Sequence, residues 1–321
     1  MVATVHSDAI VYKGSNFFRQ RLLLATLSGR TIKIEEIRST HDDPGLREYE
    51  VSLIRLLDKV TNGTRVELSQ TGTSVYYQPG ILVGGQVTHS CSTQRGIGAP
   101  PLGGGEVVFK CPVRRSLRPL QWTQWGLVKR IRGIVYALRV SPTMANRVVD
   151  AAKGVMLNFI PDVYINTDQC RGSNAGKSPG FGISLVAETN EKTFYCAEAK
   201  STDVGSGDIT LPEDLGRECA QRLLDEIHRG GAVDSSFQWL CALWMALGQK
   251  DVSECIIGPL SDYTITFLQH LKEFFGVMFK LEVQRSGSGD EESDDEEVTP
   301  ASKIKMTCVG IGYVNISKRT L

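Results

Sequence analysis

Phe17 to Ile37 reads FFRQRLLLATLSGRTIKIEEI. Its first half, Phe17 to Leu27, is apolar on one side and stops at Gly29, the pattern of a helix with a glycine terminator. Its second half, Thr31 to Ile37, carries Ile32, Ile34 and Ile37 and reads as a strand. Working outward, Leu46 to Val60 places Val51, Ile54, Leu57 and Val60 at helical spacing. Arg65 to Ser69 and Ser74 to Gln78 follow as two strands joined by the hairpin signal Gln70-Thr71-Gly72. The order is helix, strand, helix, strand, strand.

The C-terminal part repeats it. A helix through Phe237, Leu240, Trp244 and Leu247 closes at Gly248, and Cys255 to Ile257 forms a short strand. A helix through Phe267, Leu271 and Phe274 then stops at Gly276, and strands Val277 to Val283 and Lys303 to Val309 complete the unit. The repeat is one of architecture rather than of letters, and it predicts small α/β units packed side by side. Between the repeats lies a different piece: a helix over Thr143 to Leu157, strands over Asp162 to Thr167 and Gly182 to Glu188, and a helix over Pro212 to His228. That last helix has Pro212 in its first turn, acids Glu213 and Asp214 beside it, a Leu215-Cys219-Leu223-Ile227 stripe and Gly230 at its end. The stripe is core.

The 321 residues suffice for one or two cores, and no uninterrupted apolar run is long enough to span a bilayer. The start, MVATVHSDAIVYKG, lacks the pattern of a secretory signal. Eight cysteines without a CxxC pair argue against structural zinc and a disulfide framework and read as reduced, mostly buried thiols. The net charge of zero conceals a basic body, because DEESDDEE (Asp290 to Glu297) holds seven of the 36 acids. That run, within 285–302, reads as a disordered acidic loop between two strands. Val107 to Val149 contains no acid and nine bases, among them Lys110, Arg114, Arg115, Arg118, Lys129, Arg130, Arg132, Arg139 and Arg147, interleaved with Trp122, Trp125 and Tyr136. Such a segment can neutralise phosphates and stack on bases, or it can be a solvated basic surface over core tryptophans.

Gly172-Ser173-Asn174-Ala175-Gly176-Lys177-Ser178 imitates a phosphate loop, but three residues rather than four separate its glycines, and Pro179-Gly180 stands where a helix must begin. Arg171 and Lys177 remain candidate anion contacts. Gly103-Gly104-Gly105 suits a turn into Val107 to Phe109 as well as a close phosphate approach. His89 and Cys91 share a face without an acid beside them, and His228 reads as a helix C-terminal cation.

Several stretches resemble the RNA 3'-terminal phosphate cyclase family, in its cyclase-like branch. They are RQRLLLATLSGRTIKIEEIRS (Arg19 to Ser39), PGL (Pro44 to Leu46), GGGEVVF (Gly103 to Phe109), KRIRGIVYALRVSP (Lys129 to Pro142), GKSPGFGISLVAET (Gly176 to Thr189), LPEDLG (Leu211 to Gly216), GPLSDYT (Gly258 to Thr264) and CVGIGYVN (Cys308 to Asn315). The resemblance implies an α/β (α+β) fold of repeated βαβαββ-type units over 1–131 and 202–321, with an inserted smaller α/β domain over 132–201. It also implies that part of the second repeat is missing near 97–100, where the chain passes from Gly96 to PPLGGGEVVF.

The family's enzymes use a histidine that becomes covalently linked to AMP, and its place aligns with Tyr263. A phenol, ordinarily with a pKa near 10, is a poor substitute for an imidazole near 6.5 as nucleophile on ATP. Their N-terminal Glu-Gly-Gly-Gly-Gln-type loop becomes Tyr12-Lys13-Gly14-Ser15-Asn16, and their basic Arg-x-x-Arg-x-Lys-Pro-Gly-Leu element becomes Arg38 to Leu46 with His41, Asp42 and Asp43 inside. The resemblance therefore implies no cyclase activity, no cofactor and no metal. In its place it implies a nuclear, nucleolar factor of early pre-rRNA processing toward 18S rRNA. The expected partners are pre-rRNA, the U3 small nucleolar ribonucleoprotein and a ribosome-assembly GTPase, with the protein a monomer outside that assembly. The alternative is an RNA-processing enzyme, an endonuclease or a residual cyclase. Candidate RNA or anion contacts are Lys13, Arg19, Arg38, Arg114, Arg115, Arg118, Lys129, Arg130, Arg132, Arg171 and Lys177.

Overall fold

In the structure, a computed structural model, residues 9–83, 86–89, 108–111, 116–203, 209–284 and 302–314 are described, apart from the side chains of 173 and 174. The acidic run, the glycine triplet 103–105, Cys91, Arg114, Arg115 and the junction near 97–100 lie outside the described residues.

The first unit runs β1 (Ile10–Lys13), α1 (Phe18–Ser28), β2 (Ile32–Glu35), α2 (Glu48–Val60), β3 (Thr61–Asn62), β4 (Arg65–Leu68), β5 (Val75–Gln78) and β6 (Ile81–Leu82). Its sheet has the order β1-β2-β5-β4, with β1 and β2 parallel and the other pairs antiparallel. Gly29 stops α1 in the left-handed region at φ 72°, which a residue with a Cβ adopts only at a cost. Glu48 and Glu50 in the first turn of α2 and Lys59 in its last complement the helix dipole.

After β7 (Gln121–Trp122) the chain enters the inserted unit: β8 (Val128–Leu138), α3 (Pro142–Met156), β9 (Val163–Cys170), β10 (Gly180–Thr189), β11 (Phe194–Lys200) and α4 (Pro212–Arg229). It returns through α5 (Gln238–Leu247), β12 (Val252–Ile257), α6 (Asp262–Phe275), β13 (Lys280–Gln284) and β14 (Lys303–Val309). This last sheet, β7-β12-β14-β13, repeats the topology of the first strand for strand, again with one parallel pair followed by two antiparallel ones. The repeat read from the helix and glycine pattern is thus present in the backbone.

One core joins the two repeats: Leu22 and Leu24 of α1, Ile32 and Ile34 of β2, Cys241 and Met245 of α5, and Phe267 and Leu271 of α6. Each such aliphatic or aromatic side chain contributes about 1.5–3 kcal/mol by leaving water. A second core belongs to the insert, whose sheet β11-β10-β8-β9 has α3 and α4 packed on one face. Gly216 lets α4 approach α3, since a Cβ there would lie 2.5 Å from the Val148 carbonyl oxygen.

The insert's body is wider than the 132–201 expected: it starts with β8 at Val128 and takes in α4, whose Leu215, Cys219 and Leu223 fill its core. Tyr195 Oη donates to the Gly231 carbonyl at 2.6 Å and the Lys303 ammonium donates to the Arg229 carbonyl at 2.5 Å, so the insert is tied to the C-terminal repeat. Two strands of the insert went unread in the sequence, as did the short β1, β3, β6 and β7 outside it. In β8, three charged residues mask the alternation that turns Ile131, Val135 and Ala137 inward, and β11 alternates Tyr195 and Ala197 inward against polar neighbours.

Candidate functional site

Tyr263 is the second residue of α6. Ser261 caps that helix, its Oγ accepting from the Thr264 amide at 3.3 Å. The cap is held from α5: buried Gln238 donates to the Pro259 carbonyl at 3.0 Å and accepts from the Ser261 amide at 3.1 Å. The Tyr263 side chain is half-buried, and its Oη accepts a 3.0 Å hydrogen bond from Arg19 Nη2. The Arg19 guanidinium lies 5.6 Å from the Trp239 ring centroid and 6.0 Å from that of Tyr263, a cation between two π faces, and Phe17 closes the cluster 5.9 Å from Tyr263. Phe17 has φ 57°, an uncommon conformation for an aromatic residue, at the start of α1.

Beneath this surface Gln20 donates to the Tyr263 carbonyl at 3.3 Å and pairs with His270 Nδ1 at 3.0 Å. His270 is buried against Tyr12 and Phe17, and desolvation, aided by the nearby Arg21 cation, pushes its pKa down to about 4. The imidazole is therefore neutral at neutral pH and faces the interior. Arg21 lies 4.5 Å from the Tyr12 ring centroid and donates to the Gly14 carbonyl at 3.0 Å, which fixes the loop after β1. Tyr12 Oη donates to Glu273; burial, and then that carboxylate, raise its pKa. The end of β1 is thus tied to α6 through this tyrosine.

The basic candidates separate into engaged and open ones. Arg38 is engaged: its guanidinium makes a two-point pair with Glu50 at 2.7 and 2.8 Å and donates to the Gly45 carbonyl, with both side chains largely out of water. It braces the 38–46 turn against α2. Lys13 pairs with Glu36, Arg130 with Glu188 and Arg132 with Asp162, while Arg171 donates to Gln169. Arg147 pairs with Glu213, and Arg139 donates to the carbonyls of Gly172 and Gly176.

Of the nine bases in the acid-free segment, Arg130, Arg132 and Arg147 are therefore matched by acids that the fold brings from elsewhere. Lys110, Arg118, Lys129 and Lys177 have no ion pair among the described residues, and Arg118, Lys129 and Lys177 are exposed. The glycine loop at 172–176 forms a short 3₁₀ turn leading into β10, with no following helix to bind phosphate. His89 Nε2 lies 2.9 Å from Ser52 Oγ. Trp239, Gln238, Gln20 and His270 were missed as site residues. The spacing of Tyr263 and His270, seven apart on one helix face, was the available signal.

No group of three His, Cys, Asp or Glu side chains able to hold a metal occurs among the described residues, and no helix among them is long and apolar enough to cross a membrane. Fold and site together define a repeated α/β scaffold with an inserted α/β unit and an Arg–Tyr–Trp cluster at the mouth of the last repeat. The family description RNA 3'-terminal phosphate cyclase matches residues 10–99, and that of its insert domain matches residues 123–228. The chain is 49% identical to a human "RNA 3'-terminal phosphate cyclase-like protein", with 99% of each chain covered, and 48% identical to a probable protein of the same description in Drosophila melanogaster, with 98% of each covered. It is 36% identical to "rRNA processing protein rcl1" of Schizosaccharomyces pombe, over 96% of this chain and 97% of that one.

The chain belongs to the RNA 3'-terminal phosphate cyclase family, among its cyclase-like members. The human alignment runs over 380 positions against 321 residues here, so several dozen positions are filled by the relative alone.

Proposed function

We propose that the chain is a non-catalytic RNA- and protein-binding factor of small-ribosomal-subunit assembly. The observation that carries the reading is the relationship to a protein described as an rRNA processing protein, joined to a site in which a phenol held by Arg19 occupies the nucleophile's expected place. In this reading it works in the nucleolus on early pre-rRNA processing toward 18S rRNA, alongside the U3 small nucleolar ribonucleoprotein and a ribosome-assembly GTPase.

Binding of structured pre-rRNA fragments tests it. Affinity is expected to fall steeply with salt, and Arg118→Ala and Lys129→Ala are each expected to make the log–log slope shallower by about 0.7–0.9. Arg130→Ala and Arg132→Ala, already paired with Glu188 and Asp162, are expected to change it less. Salt-independent binding, or none, refutes the reading.

Tyr263→Phe removes one exposed hydrogen bond to Arg19 and is expected to leave complementation of a depleted cell nearly unchanged. Incubation with labelled ATP is expected to leave no covalent AMP on either protein. Labelling of the wild type that Tyr263→Phe abolishes would establish the residual-cyclase alternative.

A further inference from the structure

Between the insert and the last repeat lies a groove of about 630 Å³, within the usual range of small-ligand clefts. Trp122 on β7, Trp244 on α5, Phe194 at the start of β11 and Phe237 before α5 line it. These four aromatic side chains are 48%, 42%, 52% and 47% exposed, so large flat apolar faces are left in water from four separate elements. The arrangement is costly unless something covers it. Nothing in the cyclase-related cluster at Arg19 and Tyr263 uses these residues.

The polar groups of the groove narrow the occupant. Asp234, in the lining, is buried and already accepts from the Cys196 amide and thiol and the Phe237 amide, so it offers no free carboxylate. Glu191 also lines the groove and is exposed, its stem packed against Gly126, and is the one carboxylate there that an anion must avoid. Lys192, by contrast, sits in the tight turn between β10 and β11 at φ 62°, exposed and with no ion pair among the described residues. Gln124 adds an exposed amide, able to donate and accept. Arg118, also exposed, lies three residues before β7.

Flat aromatic faces flanked by a cation and an amide suit an unpaired nucleobase and its phosphate. A peptide adding a strand would have to pair with the edge of the sheet, and β7, the strand at that edge, is only two residues long.

We propose that this groove is a single-stranded RNA site, in which unstacked bases lie against Trp122 and Trp244 while Lys192 meets the backbone phosphate. The assignment rests on the RNA-binding reading above and gives it a location. It also makes the exposed tryptophan of the acid-free segment, rather than most of its arginines, the principal contact.

The test titrates the full chain with a labelled single-stranded RNA octamer and with a blunt duplex of the same sequence, read by anisotropy and by tryptophan fluorescence. The expected result is tighter binding of the single strand with quenching. Trp122→Ala and Trp244→Ala are each expected to weaken it about 5- to 100-fold, Trp122→Phe to retain most of the affinity, and Lys192→Ala to make the salt slope shallower by about 0.7. Melting curves establish that each variant is folded, and 4-thiouridine crosslinks are expected on peptides containing Trp122 or Trp244.

Unchanged affinity in folded tryptophan variants, while Arg118→Ala and Lys129→Ala still weaken binding, overturns the groove and leaves the RNA-binding reading standing. Absence of RNA binding by the wild type overturns both. A preference for duplex, or quenching by an apolar peptide but not by RNA, assigns the groove to something else.

Discussion

Arg38→Ala is expected to destabilise the protein by about 3–5 kcal/mol, because it strands a buried carboxylate. Glu50 accepts from both Arg38 Nη atoms and from the Arg47 amide at the start of α2, and its side chain is only 5% exposed. Removing the guanidinium leaves that charge with the helix N-terminus and one amide. Arg38 itself has φ 46°, but alanine carries the same Cβ, so the backbone term cancels to first order. Urea unfolding of the variant should show the loss as a lower midpoint with an unchanged m value. RNA affinity of the folded variant should not change. A loss below about 1 kcal/mol together with weaker RNA binding would restore Arg38 as an anion contact.

The second large effect is an acid limb in stability governed by His270. Its pKa in the fold is about 4, below the usual 6.5 of an exposed imidazole, so between these values the unfolded chain binds a proton that the native state excludes. Stability from this group is complete above pH 6.5 and falls as the pH drops toward 4, where the native imidazole also protonates. Over the interval from pH 7 to pH 5 the loss is about 2 kcal/mol. The groups facing His270 are Tyr12 from β1, Phe17 and Gln20 at α1, the Arg21 cation, and Glu273 on its own helix. His270→Gln can still meet Gln20 but does not titrate, and its stability is expected to fall less over the same interval by that amount. Parallel pH curves for the two proteins would show that other groups set the acid limb.

The sequence legibly placed all six helices found among the described residues, because each combines an apolar stripe with a stop or cap that acts within a few residues. Gly29 and Gly276 take the left-handed conformation that the reading requires, and Pro212 begins α4. The strand β8 was hidden by its own charges: Lys129, Arg130 and Arg132 read as a basic surface until Asp162 and Glu188 arrived from neighbouring strands to pair with two of them. The Arg38–Glu50 pair was illegible for a related reason. It spans a loop whose direction depends on positive φ at Glu36 and Arg38, and neither residue type announces that conformation.

By itself, then, the sequence determined the repeated α/β plan, the inserted unit and the failed phosphate loop, all properties of local pattern or aligned segments. Only the tertiary structure decided which cations are occupied and which aromatics are exposed. It brought Arg19 to Tyr263 across 244 positions of chain and set Trp122, Phe194 and Trp244 around one groove. The physical reason is that helix and strand signals are short-range, whereas charge pairing and solvent exposure depend on what the rest of the chain places within a few ångströms.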